Sequence, residues 1–215
     1  MMISFNKIKF RIREVVGALF RPRKVEKMRK ALKNKDFSII SANCYGAILT
    51  HDLGEQFRSP TVNLWFEAQD FVTFCENLEY YLQKEPEYLF DKDGYPVASI
   101  DGIKIYAMHY KTFDEFKEMW IRRCQRENFN NLFVMMTDRD GFDASLLDRI
   151  SKLPYKKVLF SSKKYDNYPF VCYVKKFAKK KQVGDLYKYC DIFGNRYYEK
   201  AFDCVAWLNR EGENE

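Results

Sequence analysis

Blocks of apolar and polar residues alternate along the chain and predict strands and helices in turn. The uninterrupted apolar run 132–136 predicts a central strand that is covered on both faces. Apolar residues spaced by three or four predict amphipathic helices over about 68–83 and 113–127, the second opened by a capping box. An Asp-Gly pair between two apolar runs predicts a β-hairpin over 97–109.

The remaining segments complete this alternation. Further strands are predicted over 37–41, 61–66, 158–161 and 170–174, and further helices over 47–53, 143–153, 184–190 and 197–209. Strands that alternate with helices, together with one hairpin, predict a three-layer α/β/α domain with a mixed sheet.

A basic amphipathic helical segment precedes this domain. Its apolar stripe consists of Phe5, Ile8, Ile12, Val15 and Leu19. The pair Arg21-Pro22 is expected to end this first helix, and a second helix is predicted over 23–32. Residues 1–35 hold 12 Lys and Arg but only 2 Asp and Glu. The chain therefore divides into an appendage over 1–35 and a single α/β domain over 36–215.

The uneven charge changes the expected partners. The net charge of +7 belongs to the N-terminal segment, and the rest of the chain is slightly acidic, so nucleic acid is not an expected partner of the domain. A basic amphipathic helix is typical of segments that lie on anionic membranes, and residues 1–33 are predicted to bind such a surface. The alternatives are a helix packed on the domain with its charges in water, or binding to RNA or an acidic partner.

Cysteine usage and the lack of targeting signals indicate the cytoplasm. The 6 cysteines are scattered without a C-x-x-C pair, which is typical of reduced thiols. The N-terminus lacks the features of a secretory signal, and no uncharged run approaches the ~18–20 residues of a membrane span. The expected location is cytoplasmic, peripheral on the inner face of the cell membrane.

Several motifs in order resemble the bacterial domain-of-unknown-function 1919 family. They are Ser41–Gly46, Arg58–Leu64, Asn131–Gly141, Val183–Leu186 and Phe202–Asn209. The resemblance covers about residues 37–209 and implies a three-layer α/β fold and a role in exopolysaccharide or capsular polysaccharide biosynthesis. Ala42 stands where the family motif often has Asn, which leaves Asn43 and Cys44 as candidate site residues.

The strongest candidate chemistry follows the central strand. Asp138 and Asp140 resemble the Asp-x-Asp signature of metal-dependent glycosyltransferases, in which Mg²⁺ or Mn²⁺ bridges carboxylates and a nucleotide-sugar diphosphate. Arg139, with Arg58 and Ser59 from a preceding loop, would bind the anionic group. The structural alternative is that an acid or Thr137 caps the next helix while Arg139 pairs with a neighbour.

Cysteine and histidine supply a second set of candidates. Cys44 follows the first strand at the start of a short helix, where a thiol can become a nucleophile. His51, beside Asp52, is a candidate general base, although two helical turns separate it from Cys44 by ~10 Å. His109 ends the hairpin strand and is a further candidate at the same edge. For each, a buried structural role is the alternative.

These features predict a transferase, a metal-dependent glycosyltransferase that uses a nucleotide sugar or another phosphorylated sugar and a lipid-linked acceptor. Another transferase or hydrolase of the pathway that uses Cys44 and His51 is an alternative. A non-catalytic binding module at the membrane is a third reading. The sequence leaves the donor, the acceptor and the oligomeric state open.

Overall fold

The computed structural model describes the backbone of residues 5–210 and the side chains from residue 10 onward. Within this range the helices are α1 (Phe5–Ala31), α2 (Tyr45–Leu53), α3 (Ala68–Glu76), α4 (Leu78–Leu82), α5 (Phe113–Cys124), α6 (Leu147–Ser151), α7 (Tyr197–Ala201) and α8 (Cys204–Leu208). The strands are β1 (Ser38–Ser41), β2 (Glu87–Lys92), β3 (Tyr95–Ile100), β4 (Ile103–Tyr106), β5 (Leu132–Thr137), β6 (Lys156–Ser161) and β7 (Val171–Tyr173).

Four strands form a parallel sheet in the order β1-β5-β6-β7. The predicted central strand is β5, which pairs with β1 on one side and with β6 on the other. All of its residues are buried, as the continuous apolar run predicted. Because the four strands run in one direction, their carboxyl ends meet at one edge, and the residues that follow β1 and β5 become neighbours.

The antiparallel pairs form a second sheet in the order β2-β3-β4. The predicted hairpin is confirmed, with Asp101 and Gly102 at positive φ in its turn. The α/β class and the mixture of strand directions are confirmed, but the hairpin belongs to a sheet of its own. Both edges of β3 are occupied, by β2 and β4. The sequence did not predict β2, since its residues are all exposed and carry no buried pattern.

Two apolar cores on opposite faces of the parallel sheet give the three layers. Alternate residues of β5 point to different cores: Val134 lies in one and Phe133 in the other. The first core is completed by α3, α5, α6 and the antiparallel sheet. The second is completed by α1, α2, α7 and α8. The sheet is therefore covered on both faces, and its carboxyl edge is the place where loops of both layers meet.

The N-terminal helix is one element and not two. α1 continues through Pro22 to Ala31, so the predicted break at Arg21-Pro22 was wrong. Proline removes one amide donor, but Ala18, whose carbonyl would accept it, is exposed to water. Buried contacts of Arg21 and Met28 hold the helix around this position. Among residues 5–210, no helix is both long enough and apolar enough to cross a lipid bilayer.

Two other predicted elements were wrong. The segment 61–66 is a loop with a single backbone bridge from Trp65 to Tyr106, because Asn63 adopts a left-handed φ of 67° and interrupts an extended chain. Its alternating apolar residues are nevertheless buried, which explains the misleading pattern. The segment 184–190 consists of turns and one isolated bridge, although Leu186 is fully buried.

The other predicted helices are present: α2 begins two residues earlier than predicted, and the rest have shorter bounds. Asn77 separates α3 from α4, a 3₁₀ turn precedes α6, and residues 202–203 separate α7 from α8. The predicted cap of α5 is confirmed, since the Glu115 N–H donates to the Thr112 hydroxyl over 3.2 Å. Local propensity thus located these helices, and packing decided where each one ends.

Candidate active site

A cavity of about 430 Å³ opens at the carboxyl edge of the parallel sheet. Loops from both layers surround it, and its lining residues are Asn43, Cys44, Tyr45, Ile48, Trp65, Met108, His109, Arg139, Asp140, Asp185 and Tyr187. The cavity therefore collects five of the predicted site residues from three separate parts of the chain.

Cys44 is positioned by the end of β1 and the start of α2. Ala42 extends β1 by donating its N–H to the Met135 carbonyl of β5 over 3.1 Å, and Cys44 is then the N-cap residue of α2. Asn43 fixes the bend: its side-chain oxygen accepts the Tyr45 N–H over 3.3 Å, and its Nδ2 donates to the Thr137 hydroxyl over 3.0 Å. Hydrogen bonds thus fix the position of Cys44 at the bend between β1 and α2.

His109 reaches the same corner from the antiparallel sheet. It lies in a turn after β4, closed by a 2.9 Å hydrogen bond from the Tyr110 N–H to the Ala107 carbonyl. The Tyr110 hydroxyl anchors this turn, since it accepts from Arg123 Nη1 over 2.6 Å. Two 3.0 Å backbone bonds between Trp65 and β4 bring the 61–66 loop alongside. The antiparallel sheet therefore positions the His109 imidazole through the turn after β4. It positions the Trp65 indole through the backbone bonds to the 61–66 loop.

Cys44 and His109 form a close pair. The Cys44 Sγ lies 3.4 Å from the His109 Nε2, within hydrogen-bonding distance for a sulfur atom. Burial raises the pKa of the Cys44 thiol, because a thiolate loses its hydration there. The pair therefore consists of a thiol beside an imidazole nitrogen, the arrangement that general-base activation of a cysteine requires.

Arg139 and Asp140 lie on a tight turn directly after β5. The Phe142 N–H donates to the Arg139 carbonyl over 3.0 Å, and the two central residues, Asp140 and Gly141, have left-handed φ angles of 56° and 81°. Asp-Gly is an ordinary sequence for such a turn, because Asp tolerates the left-handed conformation better than most residues and Gly adopts it at no steric cost. The first residue of α3, Ala68, stabilises the turn by donating its N–H to the Asp140 carbonyl over 2.8 Å.

The environment of the Asp140 carboxylate is mixed. Burial raises the pKa of Asp140, whereas the Arg139 guanidinium and a hydrogen bond from Asn43 lower it in part. Arg139 in turn contacts the Tyr45 hydroxyl at 3.3 Å and Asp185 at 3.6 Å. Arg139 thus interacts with two carboxylates of the cavity lining, Asp140 and Asp185.

The segment after Val183 closes one side of the cavity. The Tyr45 hydroxyl donates to the Gly184 carbonyl over 3.1 Å and accepts the Leu186 N–H over 3.3 Å. Asp185 is also bound by Lys188, over 2.8 Å. The half-exposed ring of Tyr187 lies 6.1 Å from the ring of Tyr45 and adds an aromatic wall.

Asp138 has a different position and a different role from Asp140. It is buried, and one of its oxygens accepts from the Ser161 hydroxyl and from both the N–H and the hydroxyl of Ser162, at 2.7–3.0 Å. Its other oxygen accepts the Val183 N–H over 2.7 Å. Both oxygens are therefore occupied in joining β5, β6 and the closing segment. Asp138 borders a second cavity, which Asp140 does not line.

This donor set does not fit the expected Mg²⁺ or Mn²⁺ ion. Hydrogen-bond donors already surround the Asp138 carboxylate, and a cation there would have to displace them. Within the part of the chain that the structure describes, no group of three or more His, Cys, Asp or Glu side chains is arranged to hold a metal ion. The metal site therefore stays a prediction.

Three other predicted site residues lie outside the cavity. His51 is near the end of α2, with a side chain that is 79% exposed, so the histidine that meets Cys44 is His109. Arg58 pairs with Asp36 over 3.0 Å. Ser59 is buried and hydrogen-bonds the Thr61 hydroxyl over 3.0 Å, which makes it part of the loop's internal structure.

Sequence reasoning missed several lining residues, chiefly Tyr45, Trp65, Asp185 and Tyr187. Tyr45 and Asp185 stand inside the motifs Ser41–Gly46 and Val183–Leu186, so those motifs held a usable signal. Trp65 carried none, because its apolar neighbours suggested an ordinary strand.

The chain is a three-layer α/β protein with a cavity at the carboxyl edge of its parallel sheet, the edge where ligands bind in many α/β folds. The chain belongs to the family described as a domain of unknown function, DUF1919, whose model matches residues 15–209. It is similar to a protein of Haemophilus influenzae strain Rd described as an uncharacterized protein. The two are 38% identical over 183 residues, which are 85% of this chain and 88% of that protein. The family predicted from the motifs is confirmed, whereas its polysaccharide pathway stays a prediction.

Proposed function

We propose that this protein is a cysteine-dependent acyl transferase or esterase that acts on an acylated sugar during the biosynthesis of a bacterial surface polysaccharide. The observation that carries the proposal is the 3.4 Å contact between the Cys44 sulfur and the His109 imidazole inside a cavity of about 430 Å³. A nucleophile and a base within reach of each other are the minimum requirement for covalent acyl transfer.

The reaction proceeds in two halves. In the first, the Cys44 sulfur attacks the ester carbonyl carbon and forms a C–S bond, while the thiol proton moves to the Nε2 of His109. The C–O bond of the ester then breaks, and the leaving alcohol takes that proton. In the second half, water or a sugar hydroxyl attacks the thioester and gives its proton to His109. The C–S bond breaks, and the proton returns to the sulfur.

The charges of the cavity favour a substrate of low charge. Asp140 and Asp185 lie near Arg139, and Asp185 also pairs with Lys188, so the carboxylates balance these cations and leave no excess positive charge for a phosphate ester. Carboxylates do accept hydrogen bonds from sugar hydroxyls. The aromatic side chains of Trp65 and Tyr187 offer apolar surface for a sugar ring.

The proposal keeps the location that the sequence predicts. An enzyme that modifies lipid-linked intermediates before their export would work in the cytoplasm at the inner face of the cell membrane. The metal-dependent glycosyltransferase, with a nucleotide sugar as donor, stays a prediction.

The first experiment uses p-nitrophenyl acetate, a small chromogenic ester, with the purified full-length protein in the presence of EDTA. We expect an initial burst of p-nitrophenol, followed by slower turnover, and an acetyl group on the Cys44 peptide in mass spectrometry. Cys44→Ala should abolish both. His109→Asn should slow the burst by about 10²–10⁴-fold, the usual contribution of a general base.

His51→Asn is the matched control, because His51 is the chain's other histidine and its side chain is largely exposed. It should leave the burst unchanged. An acetyl group on a different residue, or full activity in Cys44→Ala, would refute the proposal. The glycosyltransferase is tested by measuring the melting temperature of the protein with a panel of nucleotide sugars, with and without Mn²⁺. A metal-dependent rise in melting temperature that Asp140→Asn removes would favour the glycosyltransferase instead.

A further inference from the structure

The outer face of α1 carries an apolar row that the described part of the chain leaves exposed. Ile12, Val15 and Leu19 are 54%, 63% and 72% exposed, although they are large aliphatic residues. Their spacing of three and four residues places them in one row along the helix. Single exposed apolar residues are common on protein surfaces, but contiguous exposed apolar patches mark interaction sites. This row therefore indicates a binding surface.

The domain binds the opposite side of the same helix. Gly17 and Arg21 face the body of the protein, where a Cβ on Gly17 would lie 2.9 Å from the Tyr189 ring and the Arg21 side chain is buried. Leu19 is two residues from each of them, which corresponds to about 200° around the helix axis. The exposed row therefore points directly away from the domain, and no rearrangement is needed to present it.

Positive charge surrounds this row. Arg11 lies one turn before Val15, and Arg23 lies one turn after Leu19, and both are exposed. Residues 1–35 carry 12 basic and 2 acidic residues, so the helix as a whole is strongly cationic. Long basic side chains beside an apolar row can extend to anionic groups while the row is buried.

We infer that α1 docks this protein on an anionic phospholipid surface, with Ile12, Val15 and Leu19 inserted among the acyl chains and Arg11 and Arg23 at the headgroups. Charge favours this occupant over a second copy of the chain, because pairing through the row would bring two strongly cationic helices together. The inference does not depend on the chemistry of the cavity.

The test is sedimentation of the full-length protein with vesicles of phosphatidylcholine alone or of phosphatidylcholine mixed with phosphatidylglycerol. We expect binding to the mixed vesicles that weakens as salt is added. Val15→Ser combined with Leu19→Ser should weaken binding at least tenfold. Arg11→Gln combined with Arg23→Gln should weaken it by about fivefold for each charge removed.

The matched control is Leu89→Ser combined with Phe90→Ser, since these residues are 42% and 47% exposed but lie on β2. It should bind like the unmodified protein. Failure to bind anionic vesicles at low salt would overturn the inference. Full vesicle binding by the Val15/Leu19 variant would overturn it too, because the positive charges alone would then account for binding. RNA or an acidic protein would suit those charges equally well. If the unmodified protein instead forms a dimer and does not bind vesicles, and the Val15/Leu19 variant is monomeric, the row would be assigned to contact with a second copy.

Discussion

At the scale of single residues, the proposed reaction depends on Cys44. Its thiol lies beside His109 and is half-buried, and this burial raises its pKa. A cysteine of this kind differs from a preformed thiolate, whose pKa is lowered by nearby positive charge. The proposed chemistry therefore requires His109 to accept a proton in the reaction itself.

This state of Cys44 predicts how its alkylation depends on pH. Because the raised pKa keeps the thiol protonated, its reaction with iodoacetamide should accelerate as pH rises through 9, beyond the ordinary thiol pKa of about 8.5. Mass spectrometry of the alkylated peptides measures this rate separately for each cysteine. Buried Cys75 and Cys204 serve as internal controls and should stay unreactive. A plateau near pH 7 that His109→Asn removes would instead reveal a thiolate–imidazolium pair.

At the scale of elements, the loop after Tyr189 fastens α1 to the domain. Gly194 has a left-handed φ of 76°, and a Cβ there would lie 2.8 Å from the Arg21 nitrogen and from the Gly17 oxygen. Only glycine allows the loop backbone to approach the helix backbone this closely. The contact fixes the rotation of α1, and with it the direction of the exposed row.

Gly194→Ala should therefore destabilise the protein more than Gly94→Ala. Both positions have positive φ, which costs alanine about 1–2 kcal/mol, but a Cβ on Gly94 would have no neighbour within 4 Å. The backbone clash at Gly194 should add about 1–3 kcal/mol to the loss in unfolding free energy. Urea denaturation followed by circular dichroism measures the difference. Equal losses in the two variants would show that the loop can move away from α1.

At the scale of the whole molecule, one buried arginine joins three distant parts of the chain. Arg21 of α1 donates to Asp52 of α2 and, over 2.8 Å, to Glu199 of α7. Arg196 adds a second cation at 3.1 Å from Asp52. The Arg21, Asp52 and Glu199 side chains are each less than a tenth exposed. Part of the predicted appendage is thus bound into the domain through these charges.

Arg21→Met should lower the unfolding free energy by about 3–5 kcal/mol, because it leaves two buried carboxylates with too little positive charge. Adding Asp52→Asn and Glu199→Gln should restore part of this loss. Lys30→Met is the control: its pairing with Glu26 is exposed on the same helix, and its loss should cost less than about 0.5 kcal/mol. A small effect of Arg21→Met would mean that α1 is held by its apolar contacts alone.

Much of the fold was predictable because its signals are local. The apolar run of β5, the Asp-Gly turn of the hairpin and the Thr112 cap each act within a few residues, and all three are present. The loop 61–66 was not predictable, because burial of its alternate residues is compatible with either a strand or a loop. The same holds for Leu186, which is fully buried in a turn.

By itself, the sequence determined the α/β class, the central strand and the presence of Cys44, Arg139 and Asp140 at its carboxyl edge, since parallel strands bring their ends together. Only the tertiary structure decided which partners these residues meet. His109 reaches Cys44 from 65 positions away through a separate sheet, whereas His51, seven positions away, is turned outward by its helix. Likewise, the apolar row of α1 was visible in the sequence. Its outward direction follows from the contacts of Gly17 and Arg21 on the opposite side.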